Sequence, residues 1–134
     1  MWRVTFTTDR FLPILPEECQ TNPGAYGFEL ALWLAQSLAS KGVVTSYPQS
    51  EDWGWFIEYS DETEVEIQIG CASMASHGDG YKGTPLEWSV FIKPYMSLRE
   101  RLKGVTHSDK VKMLGDQIVE LLHTAGAAAR SEPE

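Results

Sequence analysis

Three stretches of this chain alternate apolar and polar residues with a period of two, and that alternation limits the folds available to it more than any other feature. Trp53, Trp55, Ile57 and Tyr59 form one such set; Val65, Ile67, Ile69 and Cys71 form a second; Trp88, Val90 and Ile92 form a third. Successive side chains of an extended strand point to opposite faces, so each set is expected to be the apolar face of a strand. Trp2, Val4 and Phe6 add a fourth strand at the start of the chain. The other parity carries Glu58, Glu64, Glu66, Gln68 and Lys93, together with Phe56 and Phe91. A sheet with one apolar face needs cover on that face alone, which predicts a two-layer arrangement.

Helical spacing supplies the second layer. Leu30, Trp33, Leu34 and Leu38 recur at intervals of three and four, with Asn22-Pro23 as the expected helix start and Gly42 as its stop. Ser97-Leu98-Arg99-Glu100 matches a capping box and opens a short helix that Gly104 ends. Val111, Leu114, Ile118, Leu121, Leu122 and Ala125 mark one face of a last helix from about Ser108 to Thr124. Asp61-Glu62 reads as a hairpin connection, and the Gly-rich loop from Ser73 to Pro85 is expected to be the most mobile internal segment. The predicted fold is α/β of the α+β type. It is a two-layer sandwich with a four-stranded, largely antiparallel sheet and two long helices on one face, in the order β-α-β-β-β-α(short)-α. Residues 1–126 are expected to form a single domain and 127–134 a flexible tail.

Charge narrows the partners. The formal net charge is -8, and residues 1–67 carry all of it, with eleven acids against three bases. Seven carboxylates and no base lie between Glu51 and Glu66, whereas Lys93, Arg99, Arg101, Lys103, Lys110 and Lys112 make a later basic stretch. Phosphate-backbone binding draws its affinity from Lys and Arg, so nucleic acid is not an expected partner. Neither a secretory leader nor an apolar run of membrane-spanning length is legible, which predicts a cytoplasmic protein without membrane attachment. Cys19 and Cys71 lie far apart with no metal-ligand spacing, consistent with a reducing compartment.

Four local patterns invite chemistry, and each has a plainer explanation. Gly78-Asp79-Gly80-Tyr81-Lys82-Gly83 matches GxGxxG, but it leads into Thr84-Pro85 and a strand, not the helix that a pyrophosphate site requires. His77 and Asp79 are two ligand types in one loop and do not make a closed metal site. Cys71 has core parity, and Cys19 follows Glu17 and Glu18, whose charge disfavours a thiolate. Trp53 and Trp55 beside Glu51 and Asp52 could cradle a cation, although core packing accounts for them. The segments Asn22-Pro23-Gly24-Ala25-Tyr26-Gly27, Glu51-Asp52-Trp53-Gly54-Trp55 and Ile69-Gly70-Cys71, with Trp88, together resemble uncharacterised small bacterial proteins over Asn22 to Ile92. No activity is attached to that pattern, so the resemblance implies no catalytic residue.

With no coherent catalytic constellation and no expected cofactor or metal, two functions remain. The first is a non-catalytic protein-binding module, of an inhibitor, immunity or adaptor type, that meets a basic protein or a second copy of itself. Its surface would be Phe56, Glu58, Glu66 and Phe91, because two aromatics among polar residues on an outer sheet face call for a covering partner. The second is a small-molecule binder or enzyme with a pocket at the sheet end, lined by Tyr26, Glu51, Trp53, Trp55, His77, Asp79 and Tyr81.

Overall fold

The computed structural model describes residues 2–20, 25–60, 65–74, 86–104, 107–127 and 130–131. Within them the chain is α+β. Strand β1 (Trp2–Thr8) is followed by a 3-10 turn at Glu17–Cys19 and helix α1 (Phe28–Ser40). Strands β2 (Gln49–Glu51), β3 (Gly54–Ser60), β4 (Glu66–Ser73) and β5 (Leu86–Pro94) come next. Helices α2 (Leu98–Leu102) and α3 (Ser108–Thr124) and strand β6 (Arg130–Ser131) complete the order. The strands form one open sheet in the order β2-β3-β4-β5-β1-β6, and every pairing is antiparallel.

The sheet therefore has six strands where four were expected. Both additions lie at its edges and are short. Gln49-Ser50-Glu51 has no apolar residue to alternate, and all three residues are exposed. Arg130–Ser131 pair with Val4 and Thr5, so this part of the segment expected to be a tail is joined to the sheet, and Ala127 before it is buried. Such margins satisfy backbone groups of the longer strands beside them. Ser46 extends the same role along β3, its N–H donating to the Glu58 carbonyl at 2.8 Å while its hydroxyl accepts from the Glu58 N–H at 2.9 Å.

The core lies on one side of this sheet. Register aligns Ile57 with Ile69 and Ile92, and Cys71 with Val90 and Val4, so the expected apolar parity becomes a set of continuous cross-strand rows. Leu30, Leu34 and Leu38 of α1 and Leu114, Ile118 and Leu122 of α3 join these residues in a single buried cluster. Both long helices thus cover the same face. Helix α3 sits close enough to β1 that a Cβ on Gly115 would collide with the Trp2 indole.

The helix ends follow from local chemistry. At the end of α1, the Gly42 N–H donates to the Ala39 carbonyl and the Val43 N–H to the Leu38 carbonyl, at 3.0 and 2.9 Å. This pair of bonds satisfies carbonyls that the helix leaves open. Helix α3 ends in the same way, with Gly126 donating to His123 and Ala127 to Leu122. The expected capping box of α2 is present, Ser97 Oγ accepting from the Glu100 N–H and the Glu100 carboxylate accepting from the Ser97 N–H, both at 3.2 Å. Helix α1 begins at Phe28, after Gly27; the Asn22-Pro23 start lies outside the described residues, as do the Asp61-Glu62 connection and residues 75–85 of the Gly-rich loop.

Candidate functional site

Polar parity becomes the outer face of the sheet, opposite α1 and α3. Register lines up Gln49, Phe56, Gly70, Phe91 and Arg3 across five strands. A second row joins Glu58, Gln68 and Lys93, and Glu66 lies beyond it opposite Ser60. Gly70 is what allows two phenylalanines in one row. The Phe91 ring lies against it so closely that an added Cβ would overlap the ring edge and stand 2.7 Å from Cε2. An aromatic ring over a strand glycine covers backbone that the missing side chain would leave bare. Trp53 packs against Phe91 at 4.9 Å between centroids, and the Arg3 guanidinium sits 5.4 Å from the ring centre. Phe91 and Phe56 are consequently half-buried.

Trp53 was expected in the core, and its position is a correction. Glu51 pairs with Gly54, so Asp52 and Trp53 are the two residues of a hairpin turn, where strand parity does not apply. The turn delivers Trp53 to the outer face at 37 % exposure, while Trp55, one residue into β3, returns to the helix side. There its Nε1 donates to Gln20 Oε1 at 3.3 Å and its ring meets Phe28 edge-on at 5.2 Å. The two indoles therefore do not form a cage.

The other residues expected at the sheet end are placed as follows. Tyr26 is buried at 1 % exposure, its carbonyl accepting from the Ser73 N–H and its N–H donating to Ser73 Oγ. Glu51 is exposed on β2. His77, Asp79 and Tyr81 lie outside the described residues. Tyr26 thus belongs to the core cluster and Glu51 to the margin of the sheet.

What the motif segments do form is a backbone contact. Gly27 (φ 153°) and Gly54 (φ 155°) both abut the Cys71 carbonyl. A Cβ on Gly27 would overlap that oxygen and stand 3.1 Å from its carbon, and one on Gly54 would come within 2.7 Å of the oxygen. Only a residue without a side chain fits either place. Cys71 itself is fully buried, and burial pushes its thiol far above the ordinary range, which leaves it inert as a nucleophile. Gly27, Gly54 and Cys71 of the resembling segments thus meet in one structural knot.

Two shallow depressions lie on this face and share Gln68 and Lys93. One, of about 320 Å³, is lined by Phe56, Glu58, Glu66, Gln68, Lys93, Pro94 and Tyr95. It brings together three of the four residues expected to bind a partner. The other, of about 330 Å³, is lined by Arg3, Trp53, Gln68, Ala72, Met74, Ser89, Phe91 and Lys93. Trp53 was expected in the core or in a pocket at the sheet end, and sequence reasoning missed Arg3 and Ser89, which did carry a signal, since their parity is that of Phe91. Among the described residues no group of three or more His, Cys, Asp or Glu could hold a metal ion, and no helix is long and apolar enough to cross a membrane. No family model, no curated protein and no solved structure matches the chain.

Proposed function

We propose that this protein is a non-catalytic binding module whose outer sheet face receives a basic segment of another protein. The observation that supports this reading is the first depression, in which Phe56, Glu58, Glu66 and Tyr95 converge. Glu58 and Glu66 are diagonal neighbours on adjacent strands, a relation that places such residues roughly 7–8 Å apart. Lys93 lines the same depression and offsets one of the two charges, which leaves it net negative and able to take a further cation. Phe56 and the 73 %-exposed Tyr95 add ring faces that attract the same group. A lysine or arginine side chain carried on an extended or helical segment satisfies both demands. The surrounding carboxylates would speed its approach, an effect that salt weakens.

Affinity capture from a lysate of the source organism tests the proposal. The wild-type protein is expected to retain a basic partner at low salt and release it as salt rises. Glu58→Lys with Glu66→Lys, and separately Phe56→Ser, should lose that partner, whereas Asp116→Lys on the exposed side of α3 should keep it. Equal capture by all four proteins would rule out this face, as would the absence of any salt-sensitive partner.

A further inference from the structure

Helix α2 is the one helix of this fold that buries nothing. From it we infer, resting on the reading of the first depression given above, that the depression is occupied by α2 of a second copy of this chain, in a two-fold dimer. The capping box fixes where α2 starts, and Glu100 ties it back to the partly buried His107, with 2.8 Å between Oε2 and Nε2. Successive residues turn about 100° around a helix, so the side opposite Glu100 carries Leu98 and Leu102, with Arg99 and Arg101 flanking that pair. Leu98 is 72 % and Leu102 80 % exposed. Neither arginine makes an ion pair among the described residues. A basic, apolar surface is thus held outward with nothing of its own chain to cover it.

The depression supplies the complement. Glu58 and Glu66 exceed Lys93 by one charge, and Phe56 and Tyr95 add rings. The two surfaces adjoin, since the Tyr95 N–H donates to the Glu66 carbonyl at 2.8 Å and α2 begins three residues later. Yet no residue of α2 lines the depression of its own chain. A two-fold dimer requires one patch bearing both halves of a complementary contact, because residue i then meets j while j meets i. An axis near Tyr95 lays α2 of each copy over the depression of the other, Leu98 and Leu102 covering Phe56 and Tyr95 while the arginines meet Glu58 and Glu66. The net charge of -8 on each copy opposes this weakly, because exposed charges more than about 8 Å apart are largely screened at physiological salt. An anionic lipid surface would suit the leucines and arginines but would set the adjoining carboxylates against like charge.

Sedimentation equilibrium at physiological salt, between about 10 μM and 1 mM, is expected to show monomers and dimers in exchange, as suits an interface below about 1,200 Å². Leu98→Ser with Leu102→Ser should weaken the dimer about tenfold or more without moving the unfolding midpoint. Glu58→Lys with Glu66→Lys, and separately Arg99→Glu with Arg101→Glu, should each give a monomer. Mixed, those two variants should form a one-to-one heterodimer, because both crossed contacts become complementary again. Lys112→Gln on α3 should dimerise as the wild type does. The dimer is refuted if the wild type is monomeric throughout that range, if the leucine variant associates unchanged, or if the mixed variants stay apart. A monomeric wild type that binds phosphatidylserine vesicles through Leu98 and Leu102 refutes it in favour of a membrane. A monomeric wild type whose capture of a basic protein depends on Glu58 and Glu66 refutes the dimer and leaves the reading of the depression standing.

Discussion

Replacing Gly27 by alanine should be among the most damaging single-methyl additions possible in this protein. The new Cβ would overlap the Cys71 carbonyl oxygen and stand 3.1 Å from its carbon, and the backbone there has φ 153°. Two costs add: about 1–3 kcal/mol for a side chain in a sparsely populated backbone region, and about 1–3 kcal/mol for overpacking. Relief is hard to find, because the obstructing atoms are backbone of β4, held between β3 and β5 by the sheet ladder. Gly70→Ala provides the contrast. Its Cβ would meet something equally close, the edge of the Phe91 ring, but that ring lies on the open face and can swing outward. Alanine in a strand also recovers about 0.5–1 kcal/mol relative to glycine. We therefore expect Gly27→Ala to lose about 2–6 kcal/mol, a large share of the roughly 5–15 kcal/mol stability of an ordinary domain, and Gly70→Ala to change stability by no more than about 1 kcal/mol. Urea unfolding followed by tryptophan fluorescence and circular dichroism, with unchanged slopes, measures both. A Gly27→Ala protein within about 0.5 kcal/mol of wild type would refute the argument, since surface substitutions of no structural consequence fall in that range.

Two further predictions concern titratable groups. A thiol reagent should label Cys19, which is exposed, in the native protein and reach the buried Cys71 only on unfolding, so that native protein shows one reactive thiol and denatured protein two. The Glu100 carboxyl is held below its ordinary value of 4.5 by the Ser97 N–H and then by hydrogen bonding to His107, whose Nε2 is 2.8 Å from Glu100 Oε2. A depressed carboxyl supports the fold above its unfolded value and loses that support as pH falls through the folded one; the Ser97 amide signal should therefore titrate with a midpoint below 4.5, and Glu100→Gln should abolish that transition.

Parity identified the core correctly wherever a strand was long enough to show it, as for Ile67, Ile69 and Cys71 or Trp88, Val90 and Ile92. It failed at Trp53, where a two-residue turn separates the indole from the strand whose phase it appeared to share. Strands β2 and β6 escaped because three and two residues give no period to detect. Tyr26 was expected at a loop on the sheet end; it is buried, and the adjacent Gly27 allows its segment to pack closely against β4. The pairing of Phe91 with Gly70 depends on register between strands, which local pattern does not encode. Phe56 and Phe91 were nonetheless legible as residues out of phase with the core, and they led to the outer face.

The position of β1 imposes an order on biosynthesis. It leaves the ribosome before β2 to β6, yet its neighbours are β5 and β6, and Trp2 waits for Ile92. At about 5–20 residues per second, that interval is roughly 5–20 s. Helix α1, β3 and β4 can associate meanwhile, because each lies near the others in the chain and they are in contact in the finished fold. Although made before the other described strands, β1 is thus inserted late, between β5 already in place and a margin still being made. Pairings so distant in sequence slow folding, so the nascent protein spends that interval with Val4 and Phe6 uncovered by their partner strand.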